Sequence, residues 1–210
     1  MSTPMDAEAI PRAAVTGTAA GLILMAGFTF VWGAWATAGL GPVASAVAIG
    51  IFLIPSVSFI IHGVGLFRAA GRFPTIDTAQ RQEETATIGR WHRRIFALEG
   101  SLIGVACTAL GVSGNYLYIN PAIALIVGAH FIPLAQVFHR TIDYYIGAWV
   151  MVASLLGIYV LAFTSTQPLF VWTIVSIATA CGTTAYGLHM VRTKWSFLRS
   201  LNSSSASIGA

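Results

Sequence analysis

Apolar positions in this chain fall in long unbroken runs, with neither the alternation of a strand nor the single stripe of a surface helix. Six runs cover residues 13–38, 43–67, 95–112, 120–138, 144–164 and 169–191, each near the roughly 20 residues that carry an α-helix through hydrocarbon. No Lys, Arg, Asp or Glu lies between Arg12 and Arg68. The first two runs therefore read as two crossings joined by the Gly39-Leu40-Gly41-Pro42 turn. Residues 111–120 form a second tight connection before Asn120-Pro121 opens the fourth run. His139 to Asp143 is a short polar loop, and Ser165 to Pro168 turns the chain before the sixth run.

The one sizeable hydrophilic segment is 68–94. Asp77 followed by Gln80 resembles a capping box, which predicts an amphipathic helix over 78–88 running towards the third span, with Gly89 a weak point. Arg90, Arg93 and Arg94 beside Trp91 form a basic cluster suited to the headgroup layer. Gly17 and Gly21, and then Gly100, Gly104, Cys107 and Gly111, are small-residue stripes of the kind that let membrane helices approach closely. Trp32 and Trp35 fit an interfacial aromatic belt. Beyond Arg192 the chain becomes Ser-rich and reads as an irregular tail.

Composition agrees with the hydropathy pattern. The chain of 210 residues is 56% hydrophobic and 9% charged, against about 25% charged in soluble domains, and its mean hydropathy is +0.78. The net charge of +4 matters less than its placement. All eleven Lys and Arg lie in the N-terminal tail, the second and fourth loops or the C-terminal tail. Under the positive-inside rule, that pattern fits six spans with both termini in the cytoplasm. The expectation is an all-α, polytopic transmembrane bundle of the cytoplasmic membrane, N-in and C-in. It has a tail at 1–12, a six-helix domain at 13–191 with a cytoplasmic loop at 68–94, and a second tail at 192–210. The bilayer is its expected partner, the glycine faces would admit a second copy or another membrane protein, and nothing points to nucleic acid.

Candidate chemistry is then a matter of depth. His130 lies inside the fourth run with Pro133 and Gln136 close behind, and a titratable group in hydrocarbon needs a partner. Counting back from Arg140 places His130 about 15 Å into the membrane at 1.5 Å per residue. His62 and His189 fall near the cytoplasmic ends of the second and sixth spans, and Glu99 about one turn inside the third. The reading is an inward-facing polar pocket formed by His62, Glu99, His130, Pro133, Gln136 and His189. The plain alternative is that His62, Glu99 and His189 only snorkel to the interface. Pro133 removes the hydrogen bond to the Ala129 carbonyl and is expected to kink the helix beside His130.

Several enzyme classes are disfavoured. No HExxH and no His pair at i, i+4 occurs, the histidines sit at depths that do not match across a b-type haem, and no phosphate loop or dinucleotide fingerprint is present. No cofactor or metal is expected. Gly111-Val112-Ser113-Gly114 matches the GxSG of rhomboid-type intramembrane proteases, but Ser113 and His189 fall at opposite membrane faces, far beyond hydrogen-bond reach. Cys107 and Cys181 lie in apolar runs and read as packing residues.

The run Gly128 to Ala135, with Phe138 after it, resembles a G-x-H-F-x-P-L-A helix of small, uncharacterised multi-spanning bacterial proteins. That resemblance implies an integral membrane protein and no particular activity. The function expected is small-molecule or ion handling, as a transporter or sensor. A structural or partner-binding subunit is the alternative, and a lipid-modifying enzyme the third reading.

Overall fold

The computed structural model describes residues 10–75 and 79–208, with side chains described except at 79–81, 84 and 200–208. Its helices are α1 (Arg12–Trp35), α2 (Pro42–Ala69), α3 (Ala79–Val112), α4 (Ile119–Phe138), α5 (Thr141–Phe163) and α6 (Pro168–Ile208), with no strand among the described residues. All six are long and apolar enough to cross a bilayer. The fold is an all-α helical bundle, and the chain is a multi-pass membrane protein.

Turn chemistry sets the hairpins. Pro42 and Pro168 open α2 and α6, where the missing N–H costs nothing and the fixed φ suits the first turn. The two described residues with positive φ are Gly114 (75°) and His139 (52°). Each follows a helix. The Asn115 N–H donates to the Leu110 carbonyl (2.8 Å) and the Arg140 N–H to the Ala135 carbonyl (3.2 Å), satisfying carbonyls that the helix ends leave free. Because His139 turns so tightly, α5 begins only two residues later.

Side by side, the helices run α2, α1, α6, α5, α4, α3, with α2 and α4 also touching α6. Helix α6 is central, with half of its most apolar window buried against 11% for α3. Helix α3 lies at the edge and packs principally against α4. Hydrogen bonds between elements help to set the register. Thr29 donates to Thr183 (3.0 Å) between α1 and α6, Asn120 to Ser176 (2.9 Å) between α4 and α6, and the Trp172 indole to the Leu117 carbonyl (2.6 Å). Backbone meets backbone closely between α4 and α5. A Cβ at Gly147 would stand 2.8 Å from the Gly128 carbonyl oxygen, and one at Gly128 would stand 2.9 Å from the Met151 nitrogen. Only hydrogen fits there, and the contact presses α4 against α5 two residues from His130.

Several expectations are corrected. The hydrophilic segment from Ala79 is continuous with the third span as one 34-residue helix. Gly89 does not interrupt it, because an interior glycine costs only about 1 kcal/mol. Asp77 lies outside the described residues, as does the Gln80 side chain. Trp32 is a core residue, 2% exposed, and only Trp35 reaches the periphery. Gly100, Gly104 and Gly111 face open space, with nothing within 4 Å of an added Cβ, as does Gly17, whereas a Cβ at Gly21 meets Met190. Close packing falls elsewhere, at Gly33, Gly128, Gly147, Gly157 and Gly187 among others. The chain beyond Arg192 is helical to Ile208, not irregular.

Candidate functional site

Antiparallel packing of α3 against α4 sets Glu99 opposite His130. The Glu99 Oε1 and His130 Nδ1 are 3.1 Å apart, with side chains 5% and 7% exposed. Neither atom has a hydrogen bond of acceptable geometry. The two groups are thus at ion-pair distance without alignment, each the other's answer to burial. The imidazole packs against two rings, Phe131 stacked at 4.4 Å and Phe96 tilted at 5.5 Å. His92 extends the ring cluster towards the loop, 4.6 Å from Phe96 and 5.9 Å from Phe138.

Beside the pair lies a cavity of about 710 Å³ between α3 and α4. Ile95, Leu98, Leu102, Leu125, Ile126 and Val137 form much of its wall, and Glu99, His130, Arg94 and Gln136 supply polar groups. Pro133 and Ala129 line it as well. The register of the two helices is visible in the contacts across it. His92 lies 5.9 Å from Phe138 and Glu99 3.1 Å from His130, so Arg94, between them on α3, sits level with the last turns of α4. Counting inward from loop residues put Glu99 and His130 at different depths. Here they meet, because the basic end of α3 continues past the end of α4.

Of the six predicted pocket residues, Glu99, His130, Pro133 and Gln136 share this cavity, Gln136 at its exposed margin. His62 and His189 do not line it. His62 is half-buried on α2 with its Nδ1 3.1 Å from the Lys194 Nζ, and His189 is exposed on α6. Of the basic cluster, Arg94 lines the cavity and lies 5.5 Å over the Trp91 ring, while Arg90 donates to Thr87 (2.8 Å) and Arg93 is exposed.

Two buried charged residues lie where the sequence pattern predicts tail and loop. Lys194 is 9% exposed within α6. Its signal was periodicity, since Tyr186, Met190 and Lys194 recur every four residues along the buried face. Asp143, in the predicted polar loop, is wholly buried in the first turn of α5. It faces the Tyr186 hydroxyl and the Arg140 guanidinium, which are 3.4 Å apart, yet neither carboxylate oxygen has a hydrogen bond of acceptable geometry. An acidic residue in a helix's first turn suits the dipole there, and that was the signal available. Among the described residues no three His, Cys, Asp or Glu side chains converge as metal ligands. Ser113 bonds its own helix at the Leu110 carbonyl (3.2 Å), and Cys107 and Cys181 are free thiols outside the cavity.

No protein-family model, curated protein or solved structure matches this chain. The site therefore rests on its own geometry.

Proposed function

We propose that this protein handles a small amphipathic molecule, bound in the α3–α4 cavity with Glu99 and His130 as its polar contacts. One observation carries the reading: a buried acid–imidazole pair at 3.1 Å, lacking aligned hydrogen bonds, is the polar centre of an otherwise mostly apolar cavity. About 710 Å³ falls within the range of small-molecule sites, which are apolar with a few convergent polar groups. A carboxyl and an imidazole side by side can pass a proton between them, so occupancy can be coupled to protonation, as a small transporter or ligand sensor requires. The basic ends of the helices face the cytoplasm in this reading, and the cavity opens on that half of the membrane.

The test is native mass spectrometry of protein extracted from its own membrane. Wild type should retain a small molecule that Ala129→Phe, which fills the cavity from its exposed wall, releases, and Glu99→Gln should weaken retention. Equal retention by wild type and Ala129→Phe, or none by either, defeats the reading. A partner-binding subunit is the second reading, favoured by the open glycine face of α3 and the basic cluster at its end. It requires a co-purifying membrane protein lost on combined substitution of Arg90, Arg93 and Arg94.

A further inference from the structure

The geometry points to an anionic membrane lipid as the occupant of the α3–α4 cavity, with its headgroup at Arg94 and its chains along Leu98, Leu102, Leu125 and Ile126. This deepens the reading above and rests on it. Three observations agree.

Polarity along the cavity is graded. Thr87, Arg94, Gln136 and His139 lie towards the basic end, whereas Leu102, Leu125 and Ile126 line the deep end. From Thr87 to Leu102 the helix rises about 22 Å, comparable to one leaflet of a bilayer about 40–45 Å thick with its headgroups. A compact ion would leave most of that wall untouched. A molecule with one charged end and a long apolar body matches it throughout.

The cavity is also open sideways. Helix α3 packs principally against α4, and Leu98 is 61% exposed and Leu102 46%. Its wall therefore borders the space that hydrocarbon fills. An amphiphile already in the leaflet can enter laterally without leaving the membrane.

Charge selects the headgroup. Arg94 contacts the Trp91 ring, and no described carboxylate lies within ion-pair distance of it. The Glu99 carboxylate lies beside His130 at 3.1 Å and forms no ion pair with Arg94. A phosphate at Arg94 would accept charge-assisted, bidentate hydrogen bonds from the guanidinium, with Arg90 and Arg93 adding charge nearby. Five residues deeper, about 7.5 Å along the helix, the Glu99–His130 pair stands where a phospholipid's ester carbonyls follow its phosphate and can accept from the imidazole.

The experiment compares dioleoyl phosphatidylglycerol with dioleoyl phosphatidylcholine added to the full chain in neutral detergent, read by native mass spectrometry and thermal unfolding. Phosphatidylglycerol should bind at least fivefold more tightly. Arg94→Gln should reduce its affinity about fivefold, the equivalent of about 1 kcal/mol per basic residue, and should weaken phosphatidylcholine, whose choline offsets its phosphate charge, by less than twofold. Arg94→Lys should retain most of the preference, and Arg90→Gln with Arg93→Gln should change it less than twofold. Equal binding of the two lipids by wild type, or no effect of Arg94→Gln, overturns the proposal. So does oleate binding more tightly than phosphatidylglycerol through Arg94, or a disulfide-linked dimer formed in membranes by Leu98→Cys, which would make a second copy the occupant. Ala129→Phe separates the two levels. If it leaves both lipids bound as in wild type, the cavity is not the site and the broader reading fails too. If it abolishes binding while Arg94→Gln has no effect, the cavity stands and the anionic lipid falls.

Discussion

Replacing Glu99 and His130 singly and together asks whether the pair is a pair in energetic terms. At 3.1 Å two unit charges attract by about 5 kcal/mol at an effective dielectric of about 20. Desolvating two groups with 5% and 7% exposed side chains opposes this by several kcal/mol each, so the intact pair adds little net stability. Removing one member is different, because it strands the other in the bundle. Glu99→Leu and His130→Leu should each lower the free energy of unfolding by about 3–5 kcal/mol, and the double variant should return to within about 1–2 kcal/mol of wild type. Reversible unfolding in mixed micelles measures the cycle, with an expected coupling of at least about 3 kcal/mol. If the double variant loses the sum of the two single losses, the residues do not depend on each other and the site as drawn is wrong. A stable double variant that no longer retains a ligand would show that the pair is kept for binding and not for the fold.

The close contact of α4 and α5 makes a second test. Gly147→Ala places a methyl about 0.6 Å inside ordinary contact with the Gly128 carbonyl, and should cost about 1–3 kcal/mol in the same unfolding assay. Gly100→Ala, in open space, should be neutral or stabilising by up to about 1 kcal/mol, and a large loss there would reveal a neighbour that the isolated chain lacks. His62→Leu leaves the Lys194 ammonium without its nitrogen partner and should cost about 1–3 kcal/mol. Adding Lys194→Met should recover most of that loss, and failure to recover would mean the two residues act separately. For orientation, a fluorescent protein fused after residue 210 should fold and fluoresce, while alkaline phosphatase fused at residue 114 should be active. The opposite pattern would reverse the topology.

The six spans were legible because hydrocarbon imposes one rule on every segment that crosses it: backbone groups must be satisfied within the helix, and side chains must be apolar. That rule acts on each segment separately, so the runs could be read without knowing which helix touches which. His130 and Glu99 were legible as anomalies for the same reason. Their meeting was not, since it depends on how far α3 slides along α4, and the loop residues used as depth markers do not sit at one level. The small-residue stripe of α3 misleads because small side chains permit close packing without requiring it, while Gly128 and Gly147 carry a backbone approach that the fold does use.

Sequence alone determined the class of molecule, the number of crossings and the clustering of basic residues in alternate loops. Tertiary structure alone decided which polar groups share a cavity. It joined Glu99 to His130, withdrew His62 and His189, and buried Lys194 and Asp143. The physical reason is range. Transfer into hydrocarbon is summed over one helix at a time, whereas a buried charge is satisfied only by a partner on another helix, within a few ångströms.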